Sequence, residues 1–401
     1  MSFKNQVMYS KAPILASVIF FFLLRAAHGQ PSISLTPEIS DDLDKESLRS
    51  AIVQSIAYLT KLPPDTVVGE QPRRFTAKQV LESLVAFEKT LDRRECARCW
   101  AEEIAARFEF VPSSNDPGAE TVLFTGYFQP VLDASLSPTA EYRYPIYAKP
   151  ADLIIAEQVT LEPKLTVEKL AGRLHEERFV PYYSRREIDD LGVLRQRGYE
   201  IAWVKDPIDL FFLHIQGSGI LRLRGGRRVQ IGYAASNGRP YRSIGRLLID
   251  NGKIPKEEMS MQRLRRYLLE RPEERGAVMS FNESYIFFRV IESGPLGSLE
   301  VPLTAGRSIA TDSRIFPKGA LAFVITHRPI LDSAGHLVRW QAFARFVLNQ
   351  DTGGAIRGLQ RADLYFGAGD QAGAEAGFMN SQGKLYFVAL KDESAVPVGG
   401  Q

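Results

Sequence analysis

Three aspartates in the last third of the 401-residue sequence are each predicted to lie in a polar or glycine-rich turn beside an apolar run. They are Asp312 in Ala-Thr-Asp-Ser, Asp351 in Gln-Asp-Thr-Gly-Gly-Ala-Ile and Asp363 in Ala-Asp-Leu-Tyr-Phe-Gly. A carboxyl group in such a place can exchange protons in acid–base catalysis. For any one of them, a turn former that bonds its own backbone is the more common role. The pair Gly353 and Gly354 beside Asp351 favours function, because glycines let a ligand approach closely.

Two earlier segments combine glycines with aromatic or polar residues. The first is Phe124-Thr-Gly-Tyr-Phe-Gln-Pro130, and the second, Gln216-Gly-Ser-Gly219, follows an apolar run that we predict to be a strand. Aromatic rings beside glycine suit stacking on sugar rings along a groove, although a strand that enters a turn explains the first segment equally well. The second segment is a poor phosphate loop, because it lacks a third glycine in register and a lysine.

Other catalytic chemistries fit the sequence less well. Asp351-Thr-Gly matches the triplet of aspartic proteases, but those enzymes need two aspartates that share a proton, and Asp312 and Asp363 lack the following glycine. The five histidines are scattered without paired spacing, so we expect no metal site. The sequence also lacks the nucleophile elbow of serine hydrolases.

The secondary-structure pattern that must position these residues changes near residue 108. Before it, apolar spacings of three and four predict helices at Leu43–Leu62 and Ala77–Leu91, with Thr76 as an N-cap. After it, short β-branched and aromatic runs broken by glycine and proline predict barrels rather than a doubly wound sheet. Helical spacing returns at 243–251 and 256–270. The predicted strands are Val122–Thr125, Tyr144–Tyr147, Leu210–Ile215, Leu299–Leu303, Leu321–Ile325, Gln341–Leu348 and Leu385–Leu390.

The N-terminus has the features of a secretory signal peptide. Lys4 and Lys11 precede an apolar run, and small residues end the segment at Gly29, which predicts cleavage before Gln30 rather than an uncleaved anchor. Those 29 residues hold three basic and no acidic side chains, so their removal turns 50 basic and 47 acidic residues into 47 of each. A neutral protein has no basic footprint for nucleic acid. We expect the polar, proline-bearing residues 31–42 to be poorly ordered.

The two cysteines, Cys96 and Cys99, form a Cys-Ala-Arg-Cys motif without the second pair that a zinc site needs. In an oxidising compartment the main prediction is a local disulfide. Free thiols and a thioredoxin-like motif are the alternatives, and the flanking residues, which we predict to end an amphipathic helix, disfavour the latter. Neither cysteine lies at the predicted cleavage point, so we expect no N-terminal lipid.

Six motifs, in this order along the chain, resemble the membrane-bound lytic murein transglycosylase A (MltA) family. The last third is similar to the domain called 3D after three aspartates, which fall here on Asp312, Asp351 and Asp363. The motifs are Phe124-Thr-Gly-Tyr-Phe, Tyr144-Pro-Ile-Tyr, Gln216-Gly-Ser-Gly, Gly232-Tyr-Ala-Ala-Ser-Asn-Gly-Arg-Pro-Tyr-Arg-Ser-Ile-Gly245, Asp351-x-Gly-Gly-Ala-Ile and Asp363-x-Tyr-x-Gly.

For the fold, the resemblance implies a mainly β protein with a helical N-terminal segment, in which a double-psi β-barrel is interrupted by a smaller β-domain. Glycan would bind in the groove between the two. The expected division is a signal peptide at 1–29, helices at 30–107, the barrel at 108–130 and 292–392 with the 3D domain in its C-terminal part, and the MltA-specific insert at 131–291.

For the chemistry, the resemblance implies cleavage of the peptidoglycan bond between N-acetylmuramic acid and N-acetylglucosamine, with a 1,6-anhydro product and no metal or cofactor. Asp363 corresponds to the single catalytic acid and base, supported by Asp351 and Asp312. Tyr365 either contacts substrate or is simply packed. The residues implied to bind substrate are Thr125, Gly126, Tyr127, Gln216, Gly217, Ser218, Gly219, Gly353, Gly354 and Tyr365.

An aspartate normally ionises near pH 3.9, so Asp363 can hold a proton at neutral pH only if burial or a neighbouring carboxylate raises its pKa by roughly two units. We expect peptidoglycan strands as ligand, other cell-wall enzymes as partners, no nucleic acid, and a monomer. Export to the periplasm follows from the signal peptide, and the missing lipid-bearing cysteine leaves attachment to the outer membrane open. The alternatives are an inactive glycan-binding scaffold and a different polysaccharide hydrolase.

Overall fold

A computed structural model describes residues 37–114, 121–162 and 165–391, with only the backbone described for 157–162 and 165–169. The predicted signal peptide lies outside these residues. Helices dominate the N-terminal part, and strands dominate from residue 108 onward, so the prediction of a mainly β protein with a helical N-terminal segment is confirmed.

The helices in the described part of the chain are mostly short, and two 3-10 turns, Lys89–Arg93 and Lys256–Glu258, accompany them. The α-helices are α1 Lys45–Leu59, α2 Ala77–Glu88, α3 Ala97–Arg107, α4 Arg185–Asp189, α5 Pro207–Gln216, α6 Ile244–Asp250, α7 Met261–Glu270, α8 Pro272–Ser280 and α9 Asp370–Phe378.

The strands belong to two large sheets and two small ones. They are β1 Val67–Gly69, β2 Phe75–Thr76, β3 Phe108–Pro112, β4 Val122–Gln129, β5 Val131–Ser135, β6 Tyr144–Tyr147, β7 Ile154–Glu162, β8 Leu165–His175, β9 Arg178–Pro181, β10 Glu200–Val204, β11 Gly219–Leu223, β12 Arg228–Ser236, β13 Ile286–Ile291, β14 Ser308–Ala310, β15 Leu321–Leu331, β16 Leu337–Asp351, β17 Arg361–Ala368 and β18 Asn380–Leu390.

The first large sheet closes on itself. Its order is β15-β16-β14-β17-β4-β18, and β18 also pairs with β15, which completes a ring of six strands with β3 added beside β18. Closure leaves few free strand edges, which is how small all-β folds avoid unwanted pairing. Helices α1 to α3 pack against this barrel through a core that includes Phe87, Trp100 and Phe346.

The second large sheet is formed by a segment of the chain that is inserted between the barrel strands β4 and β14. Only Pro130 separates β4 of the barrel from β5, and the chain returns from β13 to the barrel strand β14. The sheet order is β13-β12-β11-β5-β10-β6, and a single bridge between Ala148 and Phe288 joins its two ends. Strands β7 to β9 form a separate three-stranded sheet, and β1 pairs with β2.

Two of the predicted strands are wrong. The segment Leu210–Ile215 lies in helix α5, which Asp206 caps, Pro207 begins and Gly217 ends with a φ of 76°. The helix packs against two apolar cores, so four consecutive apolar residues, Leu210–Leu213, face different cores and look like a short buried strand in the sequence. The segment Leu299–Leu303 is a turn, with one bridge between Leu296 and Pro302.

The other predicted elements appear, with shifted ends. Helices α1 and α2 lie within the two predicted N-terminal helices, and Thr76 caps α2 together with Gln79 in a capping box. Helices α6 and α7 correspond to the predicted segments at 243–251 and 256–270. The remaining predicted strands lie in β4, β6, β15, β16 and β18, and all of these except β6 extend beyond the predicted bounds.

Part of the segment expected to be poorly ordered is fixed to the barrel. Asp41 forms two hydrogen bonds to the guanidinium of Arg307, at 2.7 and 2.9 Å, and both side chains are 0% exposed. Asp42 pairs with Arg345 at 2.7 and 2.8 Å. The expectation is therefore wrong for Asp41 and Asp42, because paired charges anchor a segment that has few apolar residues.

Cys96 and Cys99 form a local disulfide, which confirms the main prediction for this pair. The motif begins helix α3, where Cys96 is the N-cap residue, so the expectation that it ends a helix is wrong. In the part of the chain that the structure describes, none of the helices combines the length and the apolar character that a membrane crossing requires.

Candidate functional site

The barrel brings Asp351 and Asp363 together although they lie on different strands. Ala310 on β14 is the register partner of Asp351 on β16 and also of Asp363 on β17. On the other side of β17, Asp363 is opposite Thr125 on β4. Four neighbouring strands therefore place both carboxyl groups and Thr125 in one row across the sheet.

The alternation of β17 determines which side chains face this site. Ala362 and Leu364 point into the main apolar core. Because successive side chains of a strand point to opposite faces, Arg361, Asp363 and Tyr365 lie on the face away from that core. This face holds the candidate site.

Asp363 is largely enclosed but not sealed. Its side chain is 19% exposed. Oδ1 accepts a hydrogen bond from the Thr125 hydroxyl and lies 3.8 Å from Nη2 of Arg361. The pKa of Asp363 is raised to about 6, because burial raises it strongly, the Arg361 guanidinium lowers it in part, and the Asp351 carboxylate adds a smaller increase. The carboxyl group can therefore hold a proton up to about pH 6, well above an ordinary aspartate's limit, and still reach a ligand.

Asp351 is the second carboxyl group with a raised pKa. Its Oδ1 accepts hydrogen bonds from the backbone N–H groups of Ser298, at 2.9 Å, and Thr352, at 2.8 Å. Burial raises the pKa of Asp351 to about 6, although these two N–H groups favour the ionised form. The backbone bonds fix the orientation of Asp351 beside Asp363.

Tyr127 and Tyr365 form an aromatic pair next to the carboxyl groups, with ring centroids 5.2 Å apart. The pKa of Tyr127 is raised mainly by burial and also by the neighbouring Asp351. Its buried hydroxyl completes no hydrogen bond of good geometry with any described residue. Tyr365 is only 3% exposed, so it offers a ligand little surface, and the structure favours the packing role that the sequence also allowed.

Asp312 is a buried structural carboxylate rather than a second acid. Its two oxygens accept hydrogen bonds from Nε and Nη2 of Arg314, at 2.9 and 2.6 Å, and the Gly358 N–H donates to it at 2.9 Å. The bond from Arg314 is the main reason that the pKa of Asp312 falls to about 2. Asp312 is not among the charges that shift the pKa of Asp363, whereas Asp351 is.

The segment from Gln216 to Gly219 connects the inserted sheet to the site strand. Gln216 Oε1 accepts a hydrogen bond of 3.0 Å from the backbone N–H of Phe128 on β4. Gly217 has the left-handed conformation that ends α5, Ser218 is half-buried, and a side chain at Gly219 would meet Leu213 at 2.5 Å. These contacts support packing between α5 and β4, not direct contact with a ligand.

The remaining predicted glycines differ in their surroundings. A Cβ at Gly126 would lie 2.8 Å from the backbone of Ala376, so β4 can pack on α9 only with glycine there. Gly353 begins the turn after β16, where its carbonyl accepts a hydrogen bond from Ile356. Gly354 is exposed with open space around it and remains available to a ligand.

Two residues of the site were not among those the sequence pointed to, and a third, Tyr241, stood in one of the six family motifs without a role assigned to it. Arg361 lies two residues before Asp363. Residues at this spacing on a strand share a face, so the sequence could have predicted Arg361 beside Asp363. Tyr241, 38% exposed, comes from the loop after β12, and Asp363 contributes to the raised pKa of its hydroxyl after burial. Ser298 donates only its backbone N–H, which no sequence pattern reveals.

The arrangement can perform proton transfer at one accessible carboxyl group beside a second, fixed one. The inserted sheet reaches the same place through Tyr241, so the site lies where the two sheets meet. Within the described ranges, no group of three histidine, cysteine, aspartate or glutamate residues is arranged to hold a metal ion. The class defined by fold and site is thus a closed β-barrel with an inserted β-sheet and an acid–base site beside it.

Comparison with known proteins identifies the family. The family model described as "MltA specific insert domain" matches residues 123–289, and the family model described as "3D domain" matches residues 307–389. The membrane-bound lytic murein transglycosylase A of Escherichia coli K12 is 35% identical over 270 residues, which are 67% of this chain and 65% of that protein. The match thus spans slightly less than two thirds of this relative's length. The chain belongs to the MltA family and carries a 3D domain.

Solved structures agree over more of the chain. The membrane-bound lytic murein transglycosylase from Agrobacterium tumefaciens has a TM-score of 0.71 and 32% identity, over 86% of this chain and 93% of that one. The structure of E. coli MltA with bound chitohexaose has a TM-score of 0.63 and 27% identity, over 86% and 90% of the two chains.

Proposed function

We propose that the protein is a peptidoglycan lytic transglycosylase in which Asp363 is the single catalytic acid and base. The observation that carries the proposal is the state of Asp363, which combines a pKa of about 6 with an opening to solvent in a member of the MltA family. The names of the relatives support the reaction, and the chitohexaose complex of E. coli MltA supports a glycan ligand.

In the proposed reaction, protonated Asp363 gives its proton to the glycosidic oxygen between N-acetylmuramic acid and N-acetylglucosamine as the bond from C1 breaks. The resulting carboxylate then accepts the proton of the muramic C6 hydroxyl. The C6 oxygen attacks C1 of the same ring and forms the 1,6-anhydro product. The second proton transfer restores the acid, so the cycle balances without water, metal or cofactor.

A single carboxyl group suffices because the nucleophile belongs to the substrate. Glycosidases that use water or a covalent intermediate need two carboxyl groups with different tasks. Asp351 then has a supporting role: its negative charge favours the protonated form of Asp363. Asp312, held ionised by Arg314, supports the adjoining loop instead.

The glycan strand is proposed to lie where the inserted sheet meets the barrel, passing Thr125 to Tyr127, Gly353 and Gly354. We further propose the double-psi connectivity, the domain division at residues 131 and 291, a monomeric state and export to the periplasm. Contacts with other cell-wall enzymes belong to the same proposal. The relatives are named membrane-bound, and residues 1–36 of this chain lie outside those described.

The test is digestion of purified peptidoglycan sacculi followed by mass spectrometry of the soluble products. The wild-type protein is expected to release fragments that end in 1,6-anhydro-muramic acid, and Asp363→Asn to release none above background. Asp250→Asn, at an exposed carboxylate on α6, is the matched control and keeps full activity. Release of soluble fragments by Asp363→Asn at the wild-type rate would refute the assignment.

A further inference from the structure

Thr125 stands between Arg361 and Asp363 and contacts both. Nη2 of Arg361 donates a hydrogen bond of 3.1 Å to the Thr125 hydroxyl oxygen. The same hydroxyl donates to Oδ1 of Asp363. The direct approach of Nη2 to Oδ1, at 3.8 Å, is too long for a hydrogen bond. Arg361 is therefore hydrogen-bonded to Asp363 through Thr125, while its charge also acts on the carboxyl group directly.

The chemistry of the three groups fixes the direction of this chain of bonds. A guanidinium has only donors, so the Thr125 oxygen must accept from Arg361. A hydroxyl has a single hydrogen, and with its oxygen accepting, that hydrogen is directed to Asp363 Oδ1. Oδ1 thus accepts the Thr125 hydrogen. The proton of the protonated carboxyl group cannot occupy the same position, so it is carried by Oδ2.

Resting on the proposed function, we infer that Thr125 and Arg361 are a positioning pair that reserves Oδ2 of Asp363 for the proton delivered to the glycosidic oxygen. No described residue donates a hydrogen bond to Oδ2, so that oxygen is left for the substrate. Without the pair, the proton would be shared between the two oxygens and the carboxyl group could rotate. The sequence suggested Thr125 as a substrate contact, and the inference gives it a different role.

The same molecule shows what a direct pair would do. Asp312 receives two direct hydrogen bonds from Arg314, at 2.9 and 2.6 Å, and its pKa falls to about 2. An aspartate held in that way stays ionised and cannot act as an acid. With a hydroxyl placed between Arg361 and Asp363, the carboxyl group is oriented while the guanidinium remains too distant to keep it ionised.

The other charged and titratable groups around Asp363 do not replace this pair. Asp351 on β16 is a like charge that favours the protonated acid. Tyr127 on β4 and Tyr241 from the inserted sheet both have raised pKa values, to which burial contributes most, and each interacts with the charge of Asp363. Arg361 is the one cation among the groups that shift the pKa of Asp363.

The experiment compares Thr125→Val, which keeps the shape of the side chain, with Thr125→Ser, which keeps the hydroxyl, in the full protein. Rates of 1,6-anhydro product release are measured from pH 4 to 9. We expect Thr125→Val to lower kcat about tenfold at pH 5 and to move the midpoint of the alkaline limb up by about one pH unit, because the ionised acid loses a hydrogen bond. Thr125→Ser restores both values.

Arg361→Gln is expected to move the same midpoint upward, since it removes the cation that opposes protonation, and its effect with Thr125→Val is expected to be less than additive. Arg339→Gln, at an exposed arginine of β16, is the charge-matched control and leaves the profile unchanged. An unshifted midpoint in Thr125→Val, or a failure of Thr125→Ser to restore it, would overturn the inference.

A second readout separates this inference from the proposed function. The pH dependence of unfolding, compared with and without Asp363→Asn in each background, gives the pKa of Asp363 without any turnover. A higher pKa in Thr125→Val than in wild type supports the positioning pair even if sacculi are not cleaved. Equal values would reject it even if 1,6-anhydro products form.

Discussion

At the scale of single residues, environment distinguishes three aspartates that look alike in the sequence. Asp312 is held by Arg314 and stays ionised, whereas burial raises the pKa values of Asp351 and Asp363 to about 6. The sequence predicts a turn around each of the three aspartates, which is wrong for Asp363 because it lies within β17, so neither spacing nor composition separated them. The structure separates them by their hydrogen-bond partners.

The raised pKa of Asp363 predicts a pH-dependent cost in stability. The folded protein binds the proton up to about pH 6 and an ordinary aspartate only to 3.8, so wild type loses stability as the pH rises between these values. Asp363→Asn removes this loss. We expect it to raise the free energy of unfolding by roughly 1–3 kcal/mol at pH 7.5 and to leave it unchanged at pH 3.5. Urea unfolding at both pH values measures this.

The control for that comparison is Asp250→Asn, whose exposed carboxylate pairs with Arg246 on the surface of α6. It should change stability by a few tenths of a kcal/mol at most, at either pH. Equal effects of Asp363→Asn at pH 3.5 and 7.5 would contradict a raised pKa.

Asp351 is predicted to tune the acid through its charge. Asp351→Asn keeps an oxygen for the Ser298 and Thr352 N–H groups but removes the like charge that favours protonated Asp363. The alkaline limb of the rate profile is expected to move to lower pH, with a loss of roughly three- to tenfold at pH 7 and little loss at pH 4.5. Rates of product release across that range check it. A uniform loss at all pH values would indicate a structural role instead.

At the scale of elements, the contact between α5 and β4 links the inserted sheet to the site strand. Gln216→Leu would leave the Phe128 N–H without its acceptor, three residues from Thr125. We expect a loss of about 1–2 kcal/mol in unfolding free energy and a lower kcat. Gln216→Glu retains an acceptor oxygen and should stay close to wild type. If Gln216→Leu matches wild type in both measurements, α5 does not hold β4 in place.

How much of these elements the sequence predicts depends on burial and on distance along the chain. Strands β15, β16 and β18 show β-branched and aromatic runs, and α2 shows helical spacing with Thr76 as its cap, so local patterns sufficed. Helix α5 contains a short continuous apolar run, Leu210–Leu213, which packs against two cores and cannot be told from a buried strand by its sequence alone. The row through Ala310 joins strands that are tens of residues apart, and no local pattern encodes such pairings. Only the family resemblance predicted which residues form the site together.

At the scale of the whole molecule, the N-terminal segment is joined to the barrel by buried charges. Asp41 and Arg307 are both 0% exposed, and the Phe346 N–H also donates to Asp41 at 2.9 Å. Asp41→Asn leaves Arg307 buried without its counterion, which is expected to cost about 3 kcal/mol in unfolding free energy. Denaturant unfolding at pH 7 provides the measurement.

The matched comparison is Asp92→Asn, which breaks an exposed pair with Arg49. Exposed pairs contribute at most about 1 kcal/mol, so this variant should remain close to wild type. Similar small effects of both substitutions would show that the buried pair does not anchor the segment.

The central claim, that the substrate's own hydroxyl rather than water attacks C1, is tested most directly by digesting sacculi in water enriched in oxygen-18. If Asp363 acts as proposed, the new muramic ends are anhydro sugars that are lighter than a hydrolysed end by one water, and no solvent oxygen enters them. Reducing ends that carry oxygen-18, formed by wild type and absent with Asp363→Asn, would show that the enzyme is a hydrolase and contradict the account.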